Sequence, residues 1–141
     1  MKRKLAIASD HGGYSLKEAI KVRFDDVDWV DLGTDSAESV DYPEFGQKMA
    51  MAIEAGDVGQ GVLICGTGIG ISIAANRNPA VRAALCTDTT MARLTRAHND
   101  ANVLALGERV IGEETAFDIV EMFLNTEFEG GRHARRVDKL S

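Results

Sequence analysis

The chain has little cysteine, few aromatic residues, a deficit of basic charge and no long apolar run. Cys65 and Cys86 are the only cysteines in 141 residues. That is too few for a secreted disulfide scaffold, and neither lies in a Cys-x-x-Cys pair or at zinc-ligand spacing from a histidine. A reducing compartment, the cytoplasm, is expected, and no metal ligand set is. A membrane helix needs roughly 18 or more consecutive apolar residues. The apolar stretches here are cut by Gly, Thr, Asn or Arg, so no span is expected. The N-terminal MKRKLAIASD begins with basic residues, but its apolar core is only Leu5 to Ala8 before Ser9 and Asp10. That segment suits a first strand better than a secretion signal. Lys and Arg number 16 against 22 Asp and Glu, a formal charge of −6, which argues against nucleic acid as a partner because phosphate backbones need clustered cations.

What is present suits one compact domain over residues 1–141: 45% hydrophobic and 27% charged residues. The cations are unevenly placed. Residues 130–141 hold Arg132, Arg135, Arg136 and Lys139 against Asp138, so this segment is +3 and the other 129 residues are −9. A small basic spot on an acidic body suits a small anionic ligand.

Apolar runs of strand length recur at Leu5–Ala8, Trp29–Leu32, Val62–Cys65, Val81–Cys86 and Val103–Leu106, each followed by helix signals. Ser15 and Glu18 form a capping-box pattern ahead of Leu16, Ala19, Ile20 and Phe24. Pro43 suits a helix's first turn and Gly56 its end, Asp88 suits an N-cap, and Ala116 to Leu124 mark a long last helix. The runs at 62–65 and 103–106 are apolar on both faces, as in a parallel sheet covered on both sides. The expected class is α/β: a three-layer αβα sandwich, Rossmann-like, with a five-stranded parallel sheet.

In such a sheet the chemistry gathers at the loops leaving the strand carboxyl ends. Gly66-Thr67-Gly68-Ile69-Gly70 follows a buried strand and opens a helix expected at Ile71, so its amides can line an anion cradle. A dinucleotide fingerprint from Gly66 would need Gly or Ala where Ile71 stands, and a P-loop's Gly-Lys-Ser/Thr is missing. The same loop could serve only tight strand-to-helix packing. Cys65 precedes these glycines; it is either a small buried hydrophobe, as Cys86 is expected to be, or a thiolate favoured by the helix N-terminus. A phosphatase-type Cys-x5-Arg loop is excluded because the sixth residue after Cys65 is Ile71, so proton transfer suits this thiol better than phosphoryl transfer. All three histidines, His11, His98 and His133, adjoin polar loop residues. Arg132 and Arg136, at i and i+4, would share a helix face and could fork a phosphate; a solvated basic tail is the alternative.

Together, the blocks Ser9 to Gly13, Asp41-Tyr42-Pro43, Cys65 to Asn76, His98 to Leu104 and Gly130 to Val137 strongly resemble the type B ribose-5-phosphate isomerases, in family order over nearly the whole chain. The resemblance implies a homodimer, sometimes a dimer of dimers, that interconverts an aldose phosphate and its ketose with no metal, nucleotide or other cofactor. It implies Cys65 as the base moving a proton between C1 and C2, Thr67 beside it, and the amides of Gly66, Thr67, Gly68, Ile69 and Gly70 holding an enediolate oxygen. His98 would open the furanose ring, and Asp10 and His11 would contact the sugar. Arg132 and Arg136 would clamp the phosphate, the 130–141 segment completing that subsite, with Asn99 and Arg109 in support. Residues 98, 99 and 109 would come from the neighbouring subunit. Allose-6-phosphate, galactose-6-phosphate and tetrose-phosphate isomerases belong to the same superfamily, so the sugar stays open. A non-catalytic phosphometabolite-binding module and a redox sensor built on Cys65 are the other readings.

Overall fold

Strand and helix alternate along the chain as the apolar spacing predicts. The computed structural model describes residues 2–140. β1 (Arg3–Ser9) passes through a short 3-10 turn (His11–Gly13) into α1 (Tyr14–Arg23). There follow β2 (Val27–Asp31), α2 (Tyr42–Ala55), β3 (Gly61–Cys65), α3 (Ile69–Asn76), β4 (Ala83–Leu85), α4 (Thr89–Asn99), β5 (Val103–Gly107), α5 (Glu113–Asn125) and α6 (Arg132–Asp138). The strands form one sheet in the order β2-β1-β3-β5-β4, every pair parallel.

Alternation along the strands makes the three layers. Leu5, Ile7, Val62, Ile64, Leu104 and Leu106 point to one face, where Ile20 of α1, Phe24 just after it, and Ile119, Val120 and Phe123 of α5 cover them. Ala6, Ala8, Leu63, Cys65 and Val103 point to the other, against Phe45 and Met49 of α2 and Ile71 and Ala75 of α3. The small side chains of β1 on this second face let α2 approach the sheet closely. Among the described residues no helix is long and apolar enough to cross a membrane.

Several local signals act as expected. Pro43 lies in the first turn of α2, and Gly56 ends it in the left-handed region. Asp88 caps α4 by accepting from the Met91 amide at 2.8 Å. Three expectations need correction. Ser15 is not a cap, because the 3-10 turn carries the chain into α1 two residues earlier; Gly13 is the N-cap and makes no side-chain bond. A distant carboxylate replaces it: the Leu16 amide donates to Glu108 Oε1 at 2.7 Å. Helix α3 starts at Ile69 and not at Ile71, since Gly68 turns left-handed (φ 80°) and lets the helix begin at once. β4 is three residues long, because the side chain of Asn76 takes both the amide and the carbonyl of Ala83.

The turn after β1 lies directly on the end of β3. The Asp10 amide donates to the Ile64 carbonyl at 3.3 Å, and a Cβ at Gly13 would stand 2.5 Å from that same carbonyl oxygen. Gly13→Ala is therefore expected to lift the turn off β3 and cost about 1–3 kcal/mol, read as a lower urea midpoint at unchanged slope. An unchanged midpoint would show that the turn does not need this close approach.

Candidate active site

Two clusters contain the candidate residues. The first lies at the carboxyl edge of the sheet. Cys65 ends β3, 5% exposed, and its Sγ accepts the Gly68 amide at 3.1 Å. Gly68 is required here: besides its positive φ, a Cβ would stand 2.5 Å from Leu85 Cδ1 and 2.8 Å from the Leu106 carbonyl carbon. The Thr67 hydroxyl accepts the Ile69 amide at 3.1 Å, which leaves its own proton to donate outward. The amides of Gly66, Thr67 and Gly70 have no hydrogen-bond partner among the described residues. Free donors thus surround a sulfur at the start of a helix.

Asp10 and His11 border the same loop. Asp10 is 7% exposed, and its Oδ1 accepts the Gly12 amide at 2.9 Å. His11 Nδ1 accepts the Val40 amide at 3.1 Å, so the neutral ring carries its proton on Nε2. Arg109 also belongs to this cluster, in its own chain. The β5 exit is tied to the loop by Glu108 N–H to the Cys65 carbonyl at 3.0 Å and Arg109 N–H to the Gly66 carbonyl at 2.9 Å, and the guanidinium lies over Gly66. These two backbone bonds hold Arg109 against the Cys65 loop of its own chain.

The second cluster holds His98 and Asn99, at the end of α4, with Arg132, His133 and Arg136 of α6. His98, Asn99, His133 and Arg136, with Val137 and Leu140, line a cavity of about 260 Å³. The His98 and His133 rings stack with centroids 4.3 Å apart and planes 13° from parallel. Burial, then His98 and Arg132, push the His133 imidazole below its usual range; Glu129 opposes them. The ligating atoms of His98, Glu129 and His133 lie within 4.8 Å of one another, but parallel rings do not converge their lone pairs on one ion, and Arg132 and Arg136 add positive charge. A larger cavity, about 730 Å³ and lined by Arg3, Phe24 and Glu121 among others, contains none of the candidate groups.

Sheet polarity separates the two clusters. Cys65 pairs with Gly107, the last residue of β5. Asp100, which follows Asn99, is instead held by Arg82, just before β4, through an Nε bond of 2.9 Å to its carbonyl. β5 runs roughly 13 Å between those two edges, at about 3.3 Å per residue step. One chain therefore presents Asp10, His11, Cys65 to Gly70 and Arg109 at one edge, and His98, Asn99, Arg132 and Arg136 at the other.

The sequence pattern that describes the ribose/galactose isomerases matches residues 5–140. The chain belongs to that family. It is 45% identical over 141 residues to the ribose-5-phosphate isomerase B of Escherichia coli, covering 99% of this chain and 95% of that protein. The structure is similar to the ribose-5-phosphate isomerase B of Clostridium thermocellum, at 55% identity and TM-score 0.94 over 97% of this chain and 94% of that one. It is also similar to that of Thermotoga maritima, at 50% identity and TM-score 0.96 over 99% and 98%. The chain is thus a sugar-phosphate isomerase, and its α/β fold with a five-stranded parallel sheet is that of the solved family structures.

Some participants escape a reading of loops alone. Glu129 lies within 4 Å of both imidazoles; its i, i+4 spacing from His133 was the available signal. Glu108 reaches α1 from a distant loop, and the backbone of Val40 orients His11, neither with any local signature. Cys86, 1% exposed, is inert: burial, with Asp88 adding to it, pushes its thiol up to about 12. The Val40 contact has a direct test. Long-range proton–nitrogen NMR of His11 in the neutral ring is expected to show Nε2 protonated and Nδ1 bare; the opposite tautomer would refute the Val40 bond.

Proposed function

We propose that this family member interconverts ribose 5-phosphate and ribulose 5-phosphate through a cis-enediolate, with Cys65 as general base, in a cytoplasmic homodimer or dimer of dimers whose sites lie between subunits. One observation carries the chemistry: the Cys65 sulfur, bound by the Gly68 amide at 3.1 Å, lies beside the free amides of Gly66, Thr67 and Gly70. As thiolate it takes the proton from C2 of the open aldose; the electron pair moves through C1 to the carbonyl oxygen, where the loop amides stabilise the new charge. The hydroxyl proton at C2 passes to the charged C1 oxygen, and Cys65 returns the first proton to C1, which leaves the C2 carbonyl of the ketose and the thiolate restored. No oxidant or cofactor is needed. Asp10 and the Nε2–H of His11 contact sugar oxygens, and Thr67 and Asn99 donate to them. The Arg132 and Arg136 pair, supported by Arg109, takes the phosphate, whose binding energy holds the reacting carbons in place. That ribose-5-phosphate isomerase B is the name of relatives from three organisms supports the five-carbon sugar. The family's galactose members favour a second reading, a six-carbon phosphate.

The division of the site supports the dimer. A sugar phosphate held by Cys65, His98 and the arginines must draw on two chains, because one chain keeps these groups at opposite edges of its sheet. Ile69 and Ile73, on one stripe of α3, are 51% and 58% exposed next to the Cys65 loop. An apolar stripe there suits a second copy.

Cys65→Ala is expected to lower kcat/KM for ribose 5-phosphate by about 10²–10⁴ at unchanged circular dichroism, whereas Cys86→Ala leaves it within a few fold. Near-normal turnover without the thiol would remove Cys65 as base, and a higher kcat/KM for an allose or galactose 6-phosphate would reassign the sugar.

The shared site is tested by mixing Cys65→Ala with His98→Asn homodimers, unfolding them together and refolding. Random pairing makes about half the dimers mixed, each with one undamaged site, so about a quarter of all sites should recover. Activity no higher than the mean of the two parents, with mixed dimers detected by mass, would put both residues in one chain's site.

A further inference from the structure

Glu129 stands among cations and imidazoles with no role in the reaction as proposed. Its amide donates to the Ala97 carbonyl at 3.0 Å, which sets it beside the last turn of α4. Its Oε1 lies 3.9 Å from His98 Nε2 and 3.6 Å from His133 Nε2. One carboxylate oxygen thus faces the same edge of two stacked rings. His98 makes no hydrogen bond to the described residues, and its ring lines the cavity that Asn99 and Arg136 share. The carboxylate is itself 59% exposed and supports no packing. Its position suits charge and orientation.

We propose that Glu129 is a positioning residue for His98: its carboxylate holds the Nε2 edge of the imidazole against His133 and leaves Nδ1 to exchange the ring-opening proton with the sugar. The inference rests on reading His98 as the group that opens the furanose. In that step the anomeric hydroxyl proton passes to Nδ1, and the bond between C1 and the ring oxygen breaks with its electron pair going to the ring oxygen. That oxygen then takes the proton back from the imidazolium, and C1 is left as the aldehyde. For the lifetime of the imidazolium, His98 is a cation next to His133, Arg132 and Arg136. Glu129 is the anion that faces it. Two stacked imidazoles sharing one carboxylate cannot both hold a proton at low cost. Burial, His98, Arg132 and Arg136 disfavour the proton on His133, whose ring is the flat surface against which His98 stacks.

The test uses the difference between the two sugars. Ribose 5-phosphate is a furanose that must open, whereas ribulose 5-phosphate, with its 5-hydroxyl esterified, has no furanose form. Glu129→Gln is expected to lower kcat for ribose 5-phosphate by about ten- to a hundredfold, part of the 10²–10⁴ that acid–base catalysis supplies. Exchange of the ribulose 5-phosphate C1 proton with deuterated water, followed by NMR, should stay within about twofold of the wild-type enzyme. Glu129→Asp, which keeps the carboxylate, should recover part of the lost turnover. In imidazole NMR spectra the upper of the pair's two titration midpoints should fall in Glu129→Gln, because the facing anion is gone. Equal losses of turnover and exchange would reveal a merely structural role and overturn the proposal. Unchanged turnover of ribose 5-phosphate would overturn it as well. A wild-type enzyme that neither isomerises nor exchanges these sugars would instead refute the functional reading on which the proposal stands.

Discussion

Every strand of this sheet runs the same way, and the placement of the chemistry follows from that polarity. Parallel strands end together, so the loops after β1, β3 and β5 meet at one edge with Asp10, His11, Cys65 and Arg109. The helices return antiparallel to the strands, so the end of α4, and α6 packed against it, belong to the other edge. A residue in the last turn of α4 cannot approach the end of β3 in its own chain without reversing a β-α unit. The separation of the two clusters is thus a property of the architecture.

At the carboxyl edge, backbone bonds extend the order of the ladder beyond the strands. Ile64, Cys65 and Gly66 each give a carbonyl to a neighbouring loop, accepting from Asp10, Glu108 and Arg109 in turn. Glycines make these contacts possible: Gly13 lies on β3, and Gly68 turns where a side chain would strike Leu85. The exposed amides of the Cys65 loop are consequently held in place before any ligand arrives, which is what electrostatic stabilisation of a transient oxyanion demands.

The opposite edge is organised by charge. A chain of net charge −6 concentrates cations in its last twelve residues, and α6 carries them to His98. Arg132 and Arg136 make no ion pair among the described residues, which leaves them for an anion. Glu129 is the counterweight, close to the imidazoles.

The apolar pattern, the glycine loop behind Cys65, the caps at Asp88 and Gly56 and the basic segment at 130–141 are all legible in the sequence, since each depends on spacing within a few residues. So is the parallel sheet, from runs apolar on both faces. The start of α1 was not, because its amide is satisfied by Glu108, 92 residues away. Nor was the contact of Arg109 with the Cys65 loop, which depends on a backbone bond to Gly66. The sequence by itself determined which groups exist and on which local elements they lie. Which of them meet depends on the folded chain, because strand order and polarity join residues far apart in the sequence and separate others.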